Sequence, residues 1–190
     1  MAAMHTTARM TADDYLALPE HPDRRWLELV EGEVIVNAPT WLHNTAHSRF
    51  VAALWNWTHA TPGRGAVGVP LDILLDERNV FAPDVVWYAE GRVPGRHDQP
   101  PYRLPDLAVE IRSPSTWRFD VGAKKAAYER HGLRELWLVD TAADAVLVFR
   151  RSASAVPSFD VALELGRGDV LSSPVLAGFA LALDELFSES

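Results

Sequence analysis

The sequence predicts an α/β (α+β) protein with a central mixed β-sheet flanked by helices, and three observations predict it. The chain has 190 residues, near the usual size of one folded domain. Its composition, 48% hydrophobic and 23% charged, is that of an ordinary globular protein rather than a disordered or repetitive one. Its apolar residues alternate between strand-like runs and helical spacing, with no low-complexity linker between them. One domain across residues 1–190 is the expected organisation.

The elements follow in order. Thr11 and Asp14 form an S/T-x-x-D/E start signature, which predicts a short helix to Leu18. WLELVEGEVIVNA reads as a hairpin turning at Glu31 and Gly32, so helix and hairpin together occupy about 11–38. Ala46, Phe50, Val51, Leu54 and Trp57 recur at helical spacing and predict the first long helix, from Leu42 to His59. Strands are predicted at 68–75, 85–88 and 107–111. A second helix is predicted over 121–131, closed by Gly132, with strands at 135–139 and 145–149 and a short helix or turn at the end.

Composition excludes several classes. With no cysteine there is no disulfide scaffold, thiol nucleophile or Cys-ligated metal, so any metal must use Asp, Glu or His. No apolar stretch approaches the roughly 20 residues of a membrane span, and the first ten residues lack a basic region followed by an apolar run. A cytoplasmic protein with no membrane partner is expected. The net charge of −8 is unevenly spread: between Arg112 and Arg134 six basic residues face only Asp120 and Glu129. A basic surface beside an acidic body suits a polyanion held near carboxylates that need a cation, although a solvated helix face has the same pattern.

The chemistry concentrates between residues 84 and 125. Asp84 precedes the apolar strand VVWYAE, and Glu110 interrupts the apolar strand LAVEI. A carboxylate in a buried strand is costly unless compensated. On neighbouring strands Asp84 and Glu110 converge on one hard cation, with the Ile111 carbonyl as a third oxygen. The alternative leaves Asp84 capping a strand end and Glu110 paired with Arg112. Among 18 basic residues the only lysines are the adjacent Lys124 and Lys125. Lysine exchanges a proton far more readily than arginine, which suggests retention for chemistry, and on a helical wheel either one could turn toward the carboxylates.

PDVV at 83–86, DLAVEIRSPST at 106–116, DVGAKKAAY at 120–128 and HGLRELWLVD at 131–140 together resemble the Uma2-type family of restriction endonucleases, within the PD-(D/E)xK nuclease superfamily. YLALPE, LELVEGE, His43-Asn44 and the late LAGFAL extend the resemblance over nearly the whole chain. It implies a restriction-endonuclease-like core and a metal-dependent endonuclease that hydrolyses DNA phosphodiester bonds with Mg²⁺, or Mn²⁺ in its place. By position, Asp84 and Glu110 match the family's metal carboxylates, and Lys124 matches its helix-borne lysine. Glu28 matches an acid of the first strand that serves the metal site indirectly or holds a second ion. The wider superfamily places its lysine two residues after the acid, where this chain has Arg112. Arg112, Arg118 and Lys125 are then expected to hold flanking phosphates. Cutting both strands of a duplex takes two sites, which a two-fold homodimer supplies. The competing expectation, motivated by Arg112 and the acidic net charge, is a nuclease-fold protein that binds nucleic acid or a protein partner without cleaving it. Hydrolysis of another phosphate ester is a third.

Other motifs are set aside. His43 and His47 have metal-ligand spacing, but Asn44 breaks the H-E-x-x-H pattern, so polar or packing roles are expected, with DNA contact or support of the metal ligands as the alternative. SPST at 113–116 lacks a nucleophile elbow. Trp26, Trp55, Trp87 and Trp137 lie in apolar segments and are expected in the core, whereas Trp41 and Trp117 are the better ligand contacts.

Overall fold

The computed structural model describes residues 9–19 and 26–188. The opening residues 1–8, which carry most of the segment read for an export leader, lie outside the described residues, as does Glu20 of YLALPE. The described elements are α1 (Ala12–Leu16), β1 (Leu27–Val30), β2 (Glu33–Val36), α2 (Trp41–Ala60), β3 (Ala66–Gly68), β4 (Ile73–Asp76), β5 (Asn79–Phe81), β6 (Val85–Tyr88) and β7 (Leu107–Ile111). There follow α3 (Trp117–Phe119), a π turn (Asp120–Lys124), α4 (Lys125–Arg130), β8 (Glu135–Asp140), β9 (Ala145–Arg150), β10 (Val161–Leu165), β11 (Val170–Ser172), β12 (Ala180–Ala182) and α5 (Leu183–Leu186).

A six-stranded sheet in the order β10-β9-β8-β7-β6-β3 is the frame, and a four-stranded sheet, β2-β1-β5-β4, lies apart from it. Within the large sheet only β7 and β8 pair in parallel, and the helical passage from Trp117 to Arg130 connects them. Every residue of β7 is buried, because both faces of this central strand are covered. Val109 and Ile111 face a core that includes Phe50 and Leu54 of α2, Trp137 and Phe179. Ala108 faces the other way, toward a core built from Phe81, Tyr128, Leu136 and Leu138. Glu110 shares that second face by strand alternation.

Local chemistry accounts for the elements around the site. The β1–β2 hairpin turns through Glu31 and Gly32, both at positive φ, as a two-residue turn matched to strand twist requires. The Thr11 side chain caps α1 by accepting from the Asp14 N–H, and Thr40 caps α2 by accepting from the His43 N–H. The buried face of α2 carries His43, Ala46, Phe50, Leu54 and Trp57, the three-to-four-residue spacing of an amphipathic helix.

Three boundaries differ from expectation. The predicted strand 68–75 is two strands, β3 and β4, in different sheets: Pro70 has no N–H for a ladder, and the chain crosses over there. The predicted helix 121–131 begins earlier, at Trp117, and passes through a π turn in which the Lys125 N–H reaches the Asp120 carbonyl. Strands β5, β10, β11 and β12 are additional; being mostly three residues long, they leave little period-two signal. Trp55 is 52% exposed and stacks on His59, so Trp57, not Trp55, fills the core.

Candidate active site

Strand register sets the first part of the site. Val85 lies opposite Val109 and Val86 opposite Ala108, so one step further along the antiparallel pair Asp84 falls level with Glu110. The Asp84 carboxylate accepts the Ile111 N–H at 2.6 Å. Its other oxygen lies 3.2 Å from His43 Nε2, while His43 Nδ1 faces the Ile111 carbonyl at 3.1 Å. Both ring nitrogens therefore point at oxygen acceptors, an arrangement that only the imidazolium satisfies fully. Burial works against that charge, but the hydrogen bond and charge of Asp84 prevail and raise the His43 pKa.

The second part is a cage around Lys124. Its ammonium, 1% exposed, donates to both Glu28 oxygens at 2.8 and 3.0 Å. It also lies 2.8 Å from Glu110 and 3.2 Å from Asp120. Glu28 comes from β1 of the small sheet, Glu110 from β7 of the large sheet, and Asp120 from the π turn one step below the lysine, so the cage pins three elements together. The remaining oxygen of Glu110 accepts the Tyr128 hydroxyl at 2.6 Å, and Glu28 also accepts the Ala82 N–H at 2.7 Å.

Electrostatically the site holds more acid than base. Glu28, Asp84, Glu110 and Asp120 are all buried, with Lys124 and His43 as the cationic groups between them. Burial raises the Glu110 pKa well above the carboxylate range, with repulsion from Glu28, Asp120 and Asp84 adding to it against the pull of Lys124. Burial likewise lifts Asp120 to about 6, with Lys124 opposing. Burial alone would lower Lys124, but Glu110, Glu28 and Asp120 overcome it and hold the ammonium charged. The Tyr128 hydroxyl is kept protonated by burial and by the adjacent Glu110 carboxylate.

Of the residues singled out in the sequence, Glu28, Glu110 and Lys124 meet directly, while Asp84 stands level with Glu110 on the neighbouring strand, raises its pKa by charge, and is itself bonded to the Ile111 N–H and His43. The choice between the lysines is resolved by packing: Lys124 points into the cage, whereas the Lys125 ammonium lies 4.5 Å from the Phe149 ring centre and 5.8 Å from that of Phe159. Arg112 does not pair with Glu110. It donates to both oxygens of Asp140 at 2.9 Å, because the chain leaves the strand after Ile111 and aims the guanidinium at the end of β8. Arg118 is exposed and lies over the Phe119 ring at 4.6 Å. Three residues escaped the sequence reading, namely His43 as the partner of Asp84, Asp120 and Tyr128. Asp120, Lys124 and Tyr128 stand four apart, a readable stripe once the helix is known to start before 120.

Beside Asp84 opens a cavity of about 270 Å³ lined by Trp26, His43, Asn44, His47, Val69, Pro70 and Asp84. Trp26 is thus at a cavity wall rather than in the core. His47 borders the cavity and reaches the Asp84 main-chain carbonyl with Nε2 at 3.0 Å.

A mixed sheet with a parallel central pair joined by a helical passage is a nuclease-like fold, and acids at the ends of its inner strands and a lysine on that passage lie together within it. The family model described as "Putative restriction endonuclease" matches residues 12–184, and the chain belongs to that family, Uma2. Among solved structures, it is similar to a crystal structure at 1.96 Å from Anabaena variabilis described as a "putative nuclease belonging to DUF820". The two are 22% identical, with a TM-score of 0.76, over 94% of this chain and 98% of that one. Comparison with curated proteins found no match. Among the described residues no helix is long and apolar enough to cross a membrane.

Proposed function

We propose that this protein is a metal-dependent endonuclease that hydrolyses phosphodiester bonds of DNA at Asp84, Glu110 and Lys124. The observation that carries the reading is the crowding of four buried acids around one lysine and one histidine, which pushes the Glu110 and Asp120 pKa values up and which a divalent cation would relieve. The donor chemistry fits Mg²⁺, with Mn²⁺ as a substitute. Asp84, Glu110 and the Ile111 carbonyl are hard oxygen donors, and Glu28 stands one lysine away as a supporting acid. Among the described residues no three His, Asp or Glu side chains are grouped so as to hold a metal ion; the Glu110 oxygens face Lys124 and Tyr128, and those of Asp84 face His43 and the Ile111 N–H. A bound cation there would supply Lewis-acid polarisation of the phosphate and a more acidic water.

The chain's own residues divide the remaining work. Lys124, held as an ammonium among Glu28, Glu110 and Asp120, acts through charge, not as a proton acceptor, and offsets negative charge developing on the phosphate oxygens. Tyr128 and Lys124 hold Glu110 from opposite sides, so its orientation costs nothing at the moment of reaction. Arg118, exposed at the start of the helical passage, would hold a flanking phosphate. Cutting both strands of a duplex then calls for a homodimer, to be checked by light scattering.

The test is cleavage of supercoiled plasmid and of single-stranded DNA in Mg²⁺ or Mn²⁺, set against Asp84→Asn, with thermal unfolding measured alongside. Wild-type protein is expected to nick only with metal, and metal at a hundredfold its Kd adds about 2.7 kcal/mol of stability. Both effects are expected to vanish in Asp84→Asn. Metal-induced stabilisation with no cleavage of any substrate would favour the binding-only reading; neither effect would remove the metal centre altogether.

A further inference from the structure

We propose that the cavity beside Asp84 is a subsite for one unpaired nucleobase, so that the protein engages nucleic acid where a base is free of its partner. The inference rests on the nuclease reading and specifies its substrate class.

Four features of the cavity point there. At about 270 Å³ it is smaller than the roughly 300–1,000 Å³ pockets that take drug-sized ligands, which suits one flat ring system. Its walls include the Trp26 indole, Val69 and Pro70, and aromatic and apolar surface is what a base face packs against. Val69 is 51% exposed, a large apolar group left at the cavity rim. The polar groups are unequally committed: His43 is engaged through both ring nitrogens and His47 through Nε2, whereas the Asn44 side chain is exposed and makes no hydrogen bond among the described residues. A carboxamide offers a donor and an acceptor side by side, the complement of a base edge.

Position supplies the fifth argument. Asp84 is a lining residue of the cavity and a member of the acid cluster, so a base seated against Trp26 would carry its own phosphate toward Asp84. A base inside a duplex has both faces stacked and its edge paired, and it cannot enter such a cavity without being extruded. Trp41, 81% exposed on the first turn of α2 three residues from Asn44, extends the same side of the molecule with a second ring for a neighbouring base.

The experiment compares three fluorescently labelled probes by anisotropy, in EDTA so that cleavage does not intervene. They are an oligothymidylate, an abasic deoxyribose-phosphate chain of equal length, and a blunt duplex. Wild-type protein is expected to bind the oligothymidylate about tenfold more tightly than the abasic chain of equal charge, the scale of one stacked base. Trp26→Ala should erase that preference while leaving duplex affinity unchanged, and Trp26→Phe should restore most of it. Asn44→Ala, at an exposed position that threatens no core, should reduce the preference severalfold even if Trp26→Ala proves unstable. Equal affinity for oligothymidylate and abasic chain in the wild type, or a preference untouched in Asn44→Ala and Trp26→Ala, would overturn the subsite and leave the nuclease reading standing. Failure to bind any of the three probes would overturn the subsite, and the nuclease reading would then stand or fall on the metal-dependent cleavage test.

Discussion

Lys124 concentrates the energetics of the site into one side chain. Its ammonium is the nearest cation to Glu28, Glu110 and Asp120, all in a region with almost no solvent access. Replacing it with methionine keeps the volume and removes the charge. The carboxylates would then be left facing each other, and breaking a buried pair in this way typically costs about 3–5 kcal/mol. Lys124→Met is accordingly expected to lower the denaturation midpoint strongly at pH 7 and to recover part of the loss at acid pH, where the stranded acids take up protons. Equal destabilisation at pH 5 and pH 8, measured by urea unfolding, would argue against the cage. The sequence made this residue conspicuous, as one of two lysines in an arginine-rich chain, but could not separate it from Lys125. What separates them is the partner each finds, carboxylates from distant strands in one case and the Phe149 and Phe159 rings in the other.

At the scale of elements, the π turn between α3 and α4 places Asp120 and Lys124 on the face toward Glu110. Gly122 lies in the middle of this turn, exposed, and a Cβ added there would meet nothing within 4 Å, so it is present for no packing reason. Deleting Gly122 would let the turn relax to ordinary α-helical bonding, at which point Asp120 and Lys124 can no longer both reach the cage. Far-UV circular dichroism is expected to stay helical while metal-dependent cleavage disappears; retained cleavage would mean that the turn does not position the site. Such a turn has no sequence signature that hydrophobic periodicity detects, which is why the helix was expected to begin at 121. By contrast β6, β7 and β8 were legible as strands because their buried runs are continuous, and α2 because its apolar stripe is regular. The short strand β5 is held on one side by β1, some fifty residues earlier, information that a local window does not contain.

Across the whole molecule, acid placed inside the fold sets the response to pH. Glu135 lies far from the cage, at the opposite end of the parallel strand pair from Glu110, where it accepts the Trp137 indole N–H at 2.7 Å and the Ser173 hydroxyl at 2.6 Å. Burial raises its pKa, with those hydrogen bonds and the charges of Arg150 and Arg134 opposing. A carboxyl whose folded pKa exceeds its unfolded value holds its proton longer in the native state, so its contribution to stability is present below the unfolded pKa and is lost as pH rises toward the folded one. Glu135→Gln retains a side chain able to bond both partners and removes the titration. It is expected to flatten the fall in stability above about pH 4.5 and to melt higher than wild type at pH 7, as scanning calorimetry across that range would register. An unchanged slope would assign the pH response to other acids.

The cage around Lys124 also has a meaning in time. Its lysine follows Glu28 by 96 residues, and Glu110 and Asp120 lie between them. During synthesis the acids therefore leave the ribosome before their cation does, and the small sheet that bears Glu28 has no electrostatic reason to dock on the β7 strand until the helical passage arrives. A chain interrupted anywhere before that point carries the acids without the group that gathers them. The same contact that orders the site thus delays it, and a nucleic-acid-cutting activity built on these residues would wait until the helical passage that carries Lys124 has been made.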